Sequence, residues 1–127
     1  MAAELVRLKF DVLITSTNEV TAAAKELLQR GPQLVVISLG PEGAVLASPY
    51  GCWHGRSPTV RVRSTVGAGD SLVAGFVTGY LRRRSLTEAF RLGLACGTAA
   101  VMTSGTELCR RRDVQRLLPR IRLQAIG

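Results

Sequence analysis

The sequence contains no apolar run approaching the roughly 18 residues a membrane helix needs. Its opening stretch, MAAELVRLKF, has no apolar core followed by a small-residue cleavage site, so no secretory signal is read there. The expected compartment is therefore the cytosol. Aromatic residues are scarce, with one Trp, two Tyr and three Phe. None interleaves with the arginine runs, which argues against a base-stacking surface for single-stranded nucleic acid. Histidine occurs once, at His54, and is expected in a loop or at a strand edge. The three cysteines, Cys52, Cys96 and Cys109, are widely spaced and form no C-x-x-C pair. That pattern argues against a disulfide framework and against a zinc site. Acidic residues are few, nine against seventeen basic ones, leaving a formal charge of +8. Much of this charge lies in Arg82–Arg84 and Arg110–Arg112. Cations at the negative end of a helix dipole account for the first run. A nucleotide substrate would also benefit from the positive field.

What is present reads as one globular domain over residues 1–127, with 46% apolar and 20% charged residues. STNEVTAAAKELLQRG predicts a helix. Ser16 and Glu19 form a capping box, Val20, Ala23, Ala24, Leu27 and Leu28 form an apolar stripe, and Gly31 is a stop. LVVIS (34–38) predicts a strand buried on both faces, followed by the turn LGPEG and a second strand, AVLAS. TVRVRS alternates apolar and basic residues and predicts a strand with one wet face. A helix is expected from about Ser71 to Arg83, packing Leu72, Val73, Phe76 and Tyr80, with Gly75 and Gly79 lying close against a neighbour. SLTE (85–88) is a second capping box and opens a helix through AFRLGLACGTAAVM. The small residues of that helix, Ala95, Cys96, Gly97, Ala99 and Ala100, leave room for close approach. RRDVQRLLPRI predicts a final short helix with Asp113 near its positive end.

STVGAGDSLVAG (64–75) carries the chemistry. Gly67, Ala68 and Gly69 stand where a helix begins, and a helix N-terminus with glycines is a small anion hole. No Lys-Ser/Thr pair follows, so this is not a Walker loop, and Leu72 replaces the third glycine of a dinucleotide fingerprint. Asp70 has two readings. It is a helix N-cap, or it is a general base that accepts a hydroxyl proton beside a hole for a transferring phosphoryl group.

STVGAGDSLVAGFV (64–77) resembles the second signature of the ribokinase-like (PfkB-type) carbohydrate kinases. VVISLGPEGAV resembles the family's nucleotide-binding strand-turn-strand. LGLACGTAAVMTSGTELCRRRDVQRLLPRI resembles the C-terminal end of its sugar-phosphate branch, which includes 1-phosphofructokinases, tagatose-6-phosphate kinases and minor 6-phosphofructokinases. The resemblance implies an α/β fold, the C-terminal part of a three-layer Rossmann-like sandwich. It implies ATP-dependent phosphorylation of fructose 6-phosphate, fructose 1-phosphate or tagatose 6-phosphate. Asp70 would be the base, and Gly67, Ala68 and Gly69 the anion hole. Ser38, Gly40, Glu42 and Gly43 would line the ATP phosphates and ribose. Cys96, Gly97, Ala100 and Thr103 would shape the adenine pocket. A monovalent cation such as K⁺ would take oxygens of Ser64, Val66, Ala100, Thr103 and Gly105. MAAE resembles the family's Asn-x-x-Glu motif with Met1 in place of Asn, leaving Glu4 as its acid toward Mg²⁺.

The resemblance begins in the middle of the family's chain. The expected reading is the ATP-binding portion of a sugar-phosphate kinase without its sugar-binding half and lid. An edge left uncovered in this way invites self-association or pairing with the missing half. The competing reading is a non-catalytic nucleotide-binding or interaction module derived from such a kinase. A basic nucleic-acid binder is supported by net charge alone.

Overall fold

The computed structural model describes residues 17–105 and 107–127. The Ser16 cap and Glu4 lie outside the described residues. The order of elements is α1 (Thr17–Leu28), β1 (Val35–Ser38), β2 (Ala44–Ser48), β3 (Gly51–Arg56), α2 (Ala68–Leu81), α3 (Leu86–Val101), α4 (Arg111–Leu117) and β4 (Arg122–Ile126). Single 3-10 turns cover Gly40–Glu42 and Leu118–Arg120. No described helix is long and apolar enough to cross a membrane. The described chain forms two compact units, one of residues 17–40, 44–54 and 124–127, the other of residues 41–43 and 55–123.

The first unit is a sheet covered by α1. The strands lie in the order β1-β2-β3-β4. β1 and β2 are antiparallel, with Val35 opposite Ala47 and Ser38 opposite Ala44. Val20 and Ala24 of α1 pack with Val35, Val45, Ala47 and Cys52, and Leu27 and Leu28 complete the helix's apolar face. This is the stripe expected from the sequence. Among the described residues, however, β1 stands at the end of the sheet, and its residues beyond Val35 are only half-buried. The strand buried at every position is β2. His54 also departs from expectation, because it sits buried inside β3, between β2 and β4.

The second unit centres on α2 and α3. Their seam is built from glycines. A Cβ on Gly75 would lie 2.8 Å from the Cys96 Sγ, and one on Gly79 would lie 2.9 Å from the Ala89 Cα. From the opposite side, a Cβ on Gly93 would lie 2.8 Å from the Leu72 carbonyl oxygen. Real Cβ atoms do not approach so closely, so the two backbones meet where a side chain would hold them apart. Leu72 and Phe76 are buried in this unit, whereas Val73 and Tyr80 are about half exposed. The buried set of α2 thus follows Leu72, Gly75, Phe76 and Gly79, the row that faces α3. The outer side of the same helix, with Val73, Val77, Tyr80 and Leu81, stays exposed.

Both helix ends are chemically defined. The Ser85 hydroxyl accepts from the Glu88 amide at 3.2 Å and starts α3. α2 ends in a Schellman motif: the Arg84 amide donates to the Gly79 carbonyl and the Arg83 amide to the Tyr80 carbonyl. Arg83 holds φ +58 there, the only described non-glycine residue with positive φ. TVRVRS forms no strand. Arg61, Val62 and Arg63 are all exposed, and the Arg63 and Ser64 amides donate to the Val101 carbonyl at 2.7 and 3.2 Å rather than to a ladder.

Candidate active site

The Gly67–Asp70 turn forms the first turn of α2. Gly67 is the N-cap residue with φ +81, a conformation that favours glycine. Ala68, Gly69 and Asp70 are then the first three helical residues. Asp70 is therefore not the cap, and no side chain caps this helix. The Ser71 amide closes the first intrahelical bond to the Gly67 carbonyl at 2.9 Å, and the Ala68 amide makes a long contact to the Thr65 carbonyl at 3.4 Å. The Gly69 and Asp70 amides have no backbone acceptor among the described residues, as the first turn of a helix requires. The Asp70 carboxylate is exposed.

Gly69 carries the sharpest local signal. Its φ is not in the left-handed region, and a Cβ added to it would meet nothing within 4 Å. Neither backbone strain nor packing among the described residues calls for glycine there. Glycine at a helical position costs about 0.5–1 kcal/mol relative to alanine. Gly69 is thus a locally costly residue over open space, beside amides that have no backbone acceptor among the described residues. That arrangement suits an anionic group approaching the backbone.

The position of this turn is fixed from α3. A Cβ on Gly97 would lie 3.2 Å from the Ala68 carbonyl oxygen and 3.3 Å from the Leu72 Cβ. Cys96 lies against Gly75. Helix packing therefore accounts for the small side chains at 96 and 97. On the other flank, residues 63–66 are anchored to the end of α3 through the Val101 carbonyl, and the Ser64 Oγ accepts from the Val66 amide at 3.1 Å. Gly105, with φ +90, lies against this loop: a Cβ there would sit 2.6 Å from the Ser64 Oγ and 3.8 Å from the Val66 Cβ. The buried Thr103 hydroxyl donates to the Ala100 carbonyl at 2.9 Å and lies 3.1 Å from the Glu107 carbonyl.

The structure thus brings Ser64, Val66 and Gly105 together, and holds Ala100 beside Thr103. The oxygens these residues offer are carbonyls and hydroxyls. Among the described residues no group of three or more His, Cys, Asp or Glu could hold a metal ion. Such a donor set fits a singly charged cation better than a divalent one. The Val101 and Glu107 carbonyls were not foreseen from the sequence, because a backbone acceptor leaves no residue-type signature.

The remaining candidates lie on the β1–β2 connection. Ser38 ends β1 opposite Ala44, and Gly40 takes φ +62 at an exposed turn in the first unit. Glu42 and Gly43 belong to the second unit. Gly43 has a strict local reason: at φ +94, an added Cβ would fall 1.8 Å from the Gly55 carbonyl oxygen.

Residues 2–112 match the pfkB family carbohydrate kinases. The chain belongs to that family. It is 39% identical over 105 residues to ATP-dependent 6-phosphofructokinase isozyme 2 of Escherichia coli, covering 82% of this chain and 34% of that one. It is 36% identical over 114 residues to 1-phosphofructokinase of Bacillus subtilis, covering 90% and 37%. Among solved structures, phosphofructokinase-2 from Escherichia coli in complex with potassium superposes with a TM-score of 0.79 at 37% identity, covering 87% of this chain and 36% of that chain. The fold is thus the ribokinase-like α/β fold of these kinases. This pfkB chain spans little more than a third of the length of the relatives it matches.

Proposed function

We propose that this pfkB chain provides the phosphoryl-transfer and nucleotide side of an ATP-dependent sugar-phosphate kinase. The acceptor is a hydroxyl of fructose 6-phosphate, fructose 1-phosphate or tagatose 6-phosphate. The observation that carries the reading is the uncapped start of α2, with Gly69 over open space and an exposed carboxylate at Asp70. In this reading the amides around Gly67, Ala68 and Gly69 receive negative charge as it develops, and Asp70 accepts the proton of the attacking hydroxyl. Bound Mg-ATP supplies the phosphoryl group and neutralises its charge. Ser38, Gly40, Glu42 and Gly43 line the phosphates and ribose. Ala100 and Thr103 border the adenine, with Cys96 and Gly97 setting the helix behind it. Ser64, Val66 and Gly105 hold a K⁺, a reading supported by the carbonyl-and-hydroxyl donor set and by the potassium complex of a relative. Glu4, outside the described residues, is the candidate toward Mg²⁺.

A second reading is a nucleotide-binding module without turnover, since acceptor-free amides at the start of α2 would serve anion binding alone equally well. The exposed outer face of α2, with Val73, Val77, Tyr80 and Leu81, supports self-association. One experiment separates the two readings. Mg-ATP is titrated calorimetrically into the chain, and turnover is assayed with the three sugar phosphates. Kinase activity that falls about 10²-fold or more in kcat with Asp70→Asn supports the first, since this is the usual scale for a general base. Saturable binding unchanged by Asp70→Asn, with no turnover, supports the second. Absence of nucleotide binding overturns both.

A further inference from the structure

Between Ser71 and Leu81, α2 reads SLVAGFVTGYL and contains no charged residue. A helix that is apolar on every side is normally covered on every side. Here one side is covered: Leu72, Gly75, Phe76 and Gly79 are buried in the row that faces α3, while Val73, Val77, Tyr80 and Leu81 are 49%, 44%, 50% and 73% exposed. Half of the exposed large hydrophobic residues of the described chain lie on this one face, a clustering that singly scattered surface residues do not show. Tyr80 stacks on Phe76 with 6.3 Å between ring centroids, so the face carries an aromatic anchor already held in place. Exposed positions follow one another in alternate steps of four and three, through Asp70, Ala74, Val77 and Leu81, the spacing by which one helix packs along another. The two ends of the face carry opposite charge. Asp70 opens it and Arg82–Arg84 close it, all exposed and without an ion pair among the described residues.

We propose that a second copy of the chain docks on this face, with the two α2 helices antiparallel about a two-fold axis through Val77. The inference rests on the self-association reading and is independent of phosphoryl transfer. Self-complementarity selects both the occupant and its direction. About this axis Val77 meets the partner's Val77, Val73 meets the partner's Leu81, and the small Ala74 lies opposite the partner's Tyr80. The same rotation brings Asp70 to the partner's arginine end, and this contact occurs twice, once at each end of the interface. A parallel pairing would instead set the arginines of one copy against those of the other, a like-charge contact. The net charge of +8 opposes close approach of two copies in general. Between Asp70 and Arg82 that repulsion is locally absent, because the helix carries no charge there. Docking in this direction also places cations of the partner beside the exposed carboxylate of the candidate site.

The test is sedimentation velocity on the full chain from about 1 to 300 μM, the range in which a face of one helix associates. The expected result is a concentration-dependent shift from monomer to dimer. Val77→Glu, which sets two carboxylates against each other on the axis, weakens the dimer roughly 100-fold or more, and Asp70→Arg weakens it about tenfold. Both positions are exposed, and circular dichroism checks that both variants remain folded. Mild oxidation of added cysteines, with the linked peptides mapped by mass spectrometry, reads the direction separately. Val77→Cys links to itself between chains, whereas Val73→Cys links to Leu81→Cys in a mixture of the two and not to itself. A chain that stays monomeric over the whole range leaves the face to another partner and overturns both the proposal and the self-association reading. A dimer that Val77→Glu leaves intact, one in which Val77→Cys does not link to itself, or one in which Val73→Cys does, keeps self-association and overturns the docking proposed here.

Discussion

Gly69→Ala separates stability from function at one atom. Among the described residues the added methyl meets no atom within 4 Å beyond its own turn of helix, and the backbone at 69 needs no positive φ. The substitution therefore relieves the entropic cost of a helical glycine, worth about 0.5–1 kcal/mol. For a domain of this size that corresponds to a rise in Tm of roughly 2–6 °C. The same methyl occupies the space from which an anion would reach the Gly69 and Asp70 amides. Losing one charge-assisted hydrogen bond, about 1.5–3 kcal/mol, weakens Mg-ATP binding roughly 10- to 150-fold. Gly75→Ala is the control on the same helix. Its Cβ would lie 2.8 Å from the Cys96 Sγ and 3.1 Å from the Gly93 Cα, so overpacking of about 1–3 kcal/mol outweighs the helical gain. Thermal melts by circular dichroism and calorimetric titration with Mg-ATP read both effects. The reasoning is refuted if Gly69→Ala lowers Tm as Gly75→Ala does. It is refuted equally if Gly69→Ala stabilises the chain and binds Mg-ATP as tightly as the wild type.

Three further outcomes follow from local geometry. Gly43→Ala, at φ +94 and with a Cβ 1.8 Å from the Gly55 oxygen, lowers stability by about 2–4 kcal/mol in urea unfolding, because conformational strain and collision add. Arg83→Gly, at φ +58 in the Schellman motif, raises stability by roughly 0.5–1 kcal/mol in the same assay. The Cys96 thiol, raised from 9.0 to about 11 chiefly by burial, stays neutral in the fold at a pH where the unfolded chain ionises. Its contribution is complete below pH 9.0 and is lost as pH rises toward about 11. The urea midpoint of the wild type should therefore fall more steeply over that window than that of Cys96→Ala.

The helices were legible because their signals are local. The Ser85 cap, the four-residue step from Val20 to Ala24 and that from Gly75 to Gly79 are all read within a turn or two of chain, although the glycines' contacts lie on α3. The strands were less so, because a strand depends on its neighbours. GCWHGR has glycines in place of alternation, yet it forms β3 between β2 and β4. RLQAI mixes Arg122 and Gln124 with small and apolar residues and is mostly exposed, yet it pairs at the end of the sheet as β4. TVRVRS has the right alternation but finds no ladder, since its last amides turn to Val101. At the site, the glycines and the acid were visible as residue types. The choice of Gly67 over Asp70 as the cap was not, because it depends on which residue takes positive φ.

The seam between α2 and α3 has a consequence for how faithfully the first turn of α2 is placed. Where long side chains separate two helices, rotamer hopping lets each slide a little on the other. Here the stops are backbone atoms: the Leu72 carbonyl against Gly93 and the Ala68 carbonyl against Gly97. Such hard stops have no rotamers to exchange. They act as a mechanical datum, locating the helix by contact between rigid surfaces rather than by an average over moving ones. The acceptor-free amides at Gly69 and Asp70 inherit that tolerance, because they stand within one turn of the stop at Ala68. Warming should therefore loosen the exposed side of α2 well before it shifts these amides, and a methyl added at Gly97 would displace them even if the fold survived.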